Sequence, residues 1–112
     1  MIEPIHRIAA LGALGDATRR EIFGILAGGP SSVADIARRL PVTRPAVSQH
    51  LRVLSDMGLV THRTAGTRHI YRLDPDGIAA LRDYLDALWE RALNDFKAAA
   101  ERSFIQEKET PR

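Results

Sequence analysis

Apolar residues recur at helical spacing along most of the chain and give way once, over residues 59–73, to two short β-prone runs. Residues 5–14 carry Ile5, Ile8, Ala9 and Leu11 behind Pro4, and Gly12 and Gly15 weaken the end of that helix. Asp16 caps a second helix, 17–27, with Ile22, Ile25 and Leu26 facing inward and Gly28-Gly29-Pro30 as its stop. A third helix starts after Ser32, places Val33, Ile36, Ala37 and Leu40 on one face, and ends at Pro41. The fourth, 44–57, is capped by Thr43, carries Pro45 in its first turn, and lines Val47, Leu51 and Leu54 along one side with Val53 and Met57 beside them. Gly58 supplies its left-handed stop. Runs 59–64 and 68–73, joined by Ala65-Gly66-Thr67, read as a hairpin packed through some of Leu59, Val60, Ile70, Tyr71 and Leu73. Asp74-Pro75-Asp76 then opens a long helix, 75–102.

The expected fold is therefore mainly α with a small β-hairpin, in the order helix, helix, helix, helix, strand, strand, helix. Two short helices with a tight turn between them and a basic ribbon behind them form a winged helix-turn-helix, which places its second helix in the major groove of DNA. The outer face of helix 44–57 carries Arg44, Ser48, Gln49, Arg52 and Ser55. Arginine reads guanine, glutamine reads adenine, and serine adapts to either. On an ordinary protein the same face would simply be solvated. The ribbon tips the balance toward DNA, because its His62, Arg63, Arg68, His69 and Arg72 stand beside that helix and can reach phosphate or the minor groove. Arg19 and Arg20 fall in a first helical turn, against the dipole preference, and read as a structural pair rather than a phosphate contact.

Charge sharpens this assignment. The net charge is only +2, but residues 31–72 hold seven arginines against two acids, whereas six basic residues face nine acids from Leu73 onward. The positive charge sits on the module expected to touch DNA. The last helix has a different peculiarity. Ile78, Leu81, Tyr84, Leu85, Leu88, Trp89, Ala92, Leu93 and Phe96 span about half its circumference, wider than the ~100° stripe that one core needs. A chain of 112 residues has no second core for the excess. The expectation is a homodimer, with Tyr84, Leu85, Leu88, Trp89, Ala92 and Phe96 of this helix and Ile5 and Ile8 of the first at the interface. The domain covers 1–102, and 103–112 is expected to be a flexible tail.

The string PAVSQHLRVLSDMGLVTHRTAGTRHIYRL resembles the ArsR-type bacterial winged-helix repressors, and the upstream GDATRREIFGIL is close to a segment common in that family. The resemblance runs from about Ile5 to Ala100. It implies a DNA-binding repressor whose contacts match Thr43, Arg44, Pro45, Ser48, Gln49 and Arg52 on the helix-turn-helix and Arg63 and Arg68 in the wing. It also implies pairing through the first and last helices. Many ArsR-like repressors sense metals through cysteines on the first helix of the reading pair, or through His and Asp on the last. Here the first position reads SSVADIA, the chain has no cysteine, and the last helix has no histidine. Soft-metal sensing is not expected, and neither is any cofactor. His62 and His69 can approach across the hairpin, but two ligands do not close a zinc site. His50 is expected to pack or bond locally.

No nucleophile–base pair or phosphate loop points to an enzyme. The chain shows no secretory signal and no apolar run of the roughly 20 residues that a membrane crossing needs, so a cytoplasmic location is expected, with double-stranded DNA as partner and no membrane. Two alternatives stand beside this reading. One is a winged-helix protein-interaction module. The other is a repressor responsive to a hard metal or small molecule, through carboxylates of the last helix (Asp83, Asp86, Glu90, Asp95, Glu101).

Overall fold

The structure, a computed structural model, describes residues 4–109, with side chains over 9–106. Its elements are α1 (Pro4–Ala13), α2 (Ala17–Ala27), β1 (Ser31–Ser32), α3 (Val33–Arg39), α4 (Arg44–Asp56), β2 (Val60–Ala65), β3 (Arg68–Leu73) and α5 (Pro75–Glu109). Two compact units, residues 1–81 and 82–112, make up the chain.

Within the first unit the inward faces of the helices meet. Ile22 and Leu26 of α2, Ile36 of α3, Val47, Leu51 and Leu54 of α4, Leu59 and Val60 of the wing and Leu81 of α5 form one buried cluster. The caps are those the sequence specifies. Asp16 accepts from the Arg19 N–H at 2.9 Å, Ser32 from the Asp35 N–H at 3.1 Å, and Thr43 from the Ala46 N–H at 3.3 Å.

The end of α4 is a Schellman motif. The Gly58 N–H donates to the Ser55 carbonyl at 2.9 Å, the Leu59 N–H donates to that of Leu54 at 3.0 Å, and Gly58 takes φ 75°. Leu54 and Leu59, which this motif brings together, are both in the core.

The sheet differs from expectation. It has three strands in the order β1-β3-β2, all antiparallel. Ser31 lies opposite Tyr71 and Ser32 opposite Ile70. The extended backbone that prepares Ser32 to cap α3, at φ −81° and ψ 159°, also lets it pair with the wing. The hairpin loop is one residue shorter than read, because Ala65 pairs with Arg68 and leaves Gly66 and Thr67 as the turn. Gly66 has φ 64°, a conformation that a two-residue hairpin turn requires at its first position.

The last helix continues to Glu109 instead of ending near 102. Residues 103–109, SFIQEKE, contain no glycine or proline and are mostly good helix formers, so nothing in them stops it. Residues 110–112 of the expected tail lie outside the described residues, as do the side chains of Ile5 and Ile8.

Candidate nucleic-acid interface

The site is built outward from α4. Burial of Val47, Leu51 and Leu54 fixes the rotation of the helix, so Arg44, Ser48, Gln49 and Arg52 are exposed on its opposite side. Thr43 and Pro45, at its N-terminus, are exposed too. Two clefts border this ridge and share Ser48. One, of about 780 Å³, is lined by the start of α3, by Arg44, Pro45 and Ser48, and by Thr67, Arg68 and His69 at the wing tip. The other, of about 410 Å³, lies between Ser48, Gln49, Arg52, Ser55 and Asp56 of α4 and His62 and Tyr71 of the wing. The wing thus borders the polar face of α4.

Strand register sorts the wing's side chains, because successive residues point to opposite faces. Val60, His62 and Thr64 pair with Leu73, Tyr71 and His69, so the aromatic and histidine side chains share the face that carries the buried Val60. His62 and Tyr71 have ring centroids 4.9 Å apart, and His62 and His69 5.9 Å. Thr61, Arg63 and Ala65 pair with Arg72, Ile70 and Arg68, so all three wing arginines share the other face. The sequence reading named the arginines but missed the bordering role of His62 and Tyr71. Strict alternation through a registered hairpin is the signal that reveals it.

Arg68 is engaged in a way the sequence did not indicate. Its Nη2 donates to Ser32 Oγ at 3.1 Å and to Asp35 Oδ2 at 3.2 Å. Asp35 also bridges Arg38, one turn along α3. Arg19 and Arg20 are structural. Arg19 Nε donates to the Ala13 carbonyl at 2.6 Å, and Arg20 Nη1 donates to the carbonyls of Leu14 and Gly15 at 3.1 and 2.9 Å. They satisfy acceptors at the end of α1 that no helical N–H reaches. Arg19 Nη1 also lies 3.4 Å from His50 Nδ1, so this strut reaches α4 and engages His50 from 31 positions away, where local bonding was expected.

The Arg19 N–H bond to its side chain holds the Asp16 carboxyl below its ordinary value of 3.8, and the Arg19 charge adds to the effect. A depressed carboxylate stabilises the fold in full above its unfolded value, and that stabilisation is lost as pH falls through the folded one. Asp16→Asn keeps a capping oxygen but removes the titration. Its melting temperature is expected to fall less steeply than that of the native chain as pH drops below about 4, as differential scanning calorimetry across that fall would show.

A helix-turn-helix domain model matches residues 14–63. The HTH-type transcriptional regulator Rv2034 of Mycobacterium tuberculosis is 58% identical over 84 residues, covering 75% of this chain and 78% of that one. The arsenical resistance operon repressor of Staphylococcus xylosus is 31% identical over 78 residues, 70% of this chain and 75% of that one. The solved ArsR-like transcriptional regulator from Rhodococcus sp. RHA1 superposes with a TM-score of 0.69 at 31% identity, over 86% of this chain and 93% of that one. This chain belongs to the ArsR-type winged helix-turn-helix transcriptional regulators. In this ArsR-type regulator the described residues contain no group of three or more His, Cys, Asp or Glu side chains placed to hold a metal ion. No described helix is long and apolar enough to cross a membrane.

Proposed function

We propose that this ArsR-type regulator is a homodimeric repressor that places α4 of each copy in successive major grooves, about 34 Å apart, of a near-palindromic operator. The observation that carries this reading is the exposed polar ridge of α4, along which lie two clefts that the basic wing borders. Arg44, Ser48 and Gln49 read base edges there. Thr43 and Pro45 set the start of the helix against the backbone, and Arg52, Arg63 and Arg68 hold phosphate.

Selection of bound duplexes from a random pool tests the reading directly. A two-fold symmetric motif with half-sites one helical turn apart is expected, and an unenriched pool would refute it. Two substitutions then separate reading from holding. Gln49→Ala relaxes discrimination at one base position by about 1–3 kcal/mol. Arg63→Ala weakens all sequences alike and flattens the dependence of log K on log salt by about one unit. A ranking of operator variants that is identical with and without the Gln49 amide removes that residue from the reading set.

A further inference from the structure

We propose that Asp35 masks part of the DNA-facing charge: its carboxylate holds Arg68 and Arg38 in the free protein, competes with phosphate for them, and so restrains affinity for duplexes of any sequence. The inference rests on the DNA-binding reading above and adds a regulating residue to it.

Asp35 lies in the first turn of α3 and lines the larger cleft together with Arg38, Arg44 and Arg68. One carboxylate oxygen meets Arg38 and the other meets Arg68, so two of the arginines facing this cleft share one acid. The side chains of Arg38 and Arg68 are 72% and 58% exposed, so a phosphate can reach both. Among the described residues neither Arg44 nor Arg63 bridges an acid. Arg63 and Arg68 share one face of the wing and look equivalent in sequence, yet of the two only Arg68 bridges an acid.

When phosphates take Arg68 and Arg38, Asp35 is left facing the polyanion. With Arg38 and Arg68 both on phosphate the duplex releases two cations while the freed carboxylate recruits one, so the two arginines together add about one unit to the salt slope instead of two. Asp35→Asn removes this opposition. It also preserves α3, because the group that Ser32 caps is the backbone N–H of residue 35, which the substitution leaves in place.

The test measures anisotropy of a labelled random-sequence duplex against salt, for the native chain, D35N, R68Q and the double variant. D35N is expected to bind about eightfold tighter at 0.1 M salt, the factor that one additional released counterion gives there, with the slope steeper by about one unit. R68Q alone is expected to flatten the slope by about one unit, and R68Q in the D35N background returns it to about the native value. A native chain that binds while D35N binds no better, or binds more weakly, overturns the mask and leaves the DNA-binding reading standing. A native chain that ignores duplex even in dilute salt overturns both.

Discussion

Gly77→Ala is expected to cost about 3 kcal/mol or more and to lower the melting temperature by well over 10 °C. The reason is a backbone crossing. A Cβ at Gly77 would overlap the Gly58 carbonyl oxygen and lie 2.8 Å from its carbon. Neither obstacle is a side chain that can swing away. The crossing is held from both directions. Gly58, at φ 75°, closes the end of α4, and the Asp74 N–H donates to the Leu59 carbonyl at 3.0 Å. Asp74 Oδ1 in turn accepts from the Asp76 N–H at 3.0 Å, which starts α5 directly over that turn. An added methyl must push the start of α5 off the end of α4, taking Ile78 and Leu81 out of their core contacts.

Such a loss is a large share of the 5–15 kcal/mol that stabilises a typical domain. Gly24→Ala is the matched control, since a Cβ there meets nothing within 4 Å. In the interior of α2 it is expected to stabilise by about 0.5–1 kcal/mol. Thermal and urea melts of both variants decide the matter. If Gly77→Ala melts with the native chain, the crossing is not as close as described.

Gly77 also marks where the sequence stops being readable. In a helical first turn it looks like a weak helix former, and only the partner backbone reveals why no other residue fits. Features written locally were legible. Val47, Leu51 and Leu54 show their face by spacing, and all three are fully buried. Ser32 and Thr43 announce their helices by side-chain chemistry alone. Pairings between distant positions were not. The Arg68–Asp35 bridge joins residues 33 apart, and nothing near either one singles out its partner. β1 is two residues long, too short to carry a period. Arg19 and Arg20 ran against the helix dipole, and that anomaly was a genuine sign. It pointed to acceptors at the end of the preceding helix, which no sequence pattern locates.

The wide apolar stripe of the last helix was legible as an excess, and the structure apportions it. Ile78 and Leu81 pack against the core of the first unit. From Leu85 onward the large apolar side chains are exposed on the single chain. Leu85, Leu88, Trp89, Leu93 and Phe96 follow one another at helical spacing, with Trp89 67% and Phe96 73% exposed. Ala92 is exposed among them and Tyr84 is half-buried. Phe104 and Ile105, which the sequence reading left in a flexible tail, are also exposed on this helix.

Trp89→Glu is accordingly expected to shift the protein to single chains at micromolar concentration and to weaken operator binding by about 10²–10⁴-fold, the gain that linking two reading heads provides. An isolated soluble chain rarely leaves a continuous apolar surface of more than a few hundred Å² in water. One aromatic side chain buries 150–250 Å², of which about two thirds is still open on Trp89, and at about 25 cal/mol per Å² covering that part contributes roughly 2.5–4 kcal/mol. In a two-fold pair the same residue occurs twice, so one substitution removes two anchors and places two carboxylates in the contact.

A substitution that merely unfolded the chain would abolish all binding. Loss of pairing leaves each copy with its own α4 and wing. The variant should therefore still bind a single half-site weakly, with about half the native salt slope. Sedimentation equilibrium with a half-site and a full-site duplex separates these outcomes. A variant that remains paired, with operator affinity intact, would show that the exposed stripe of α5 is not what joins two copies.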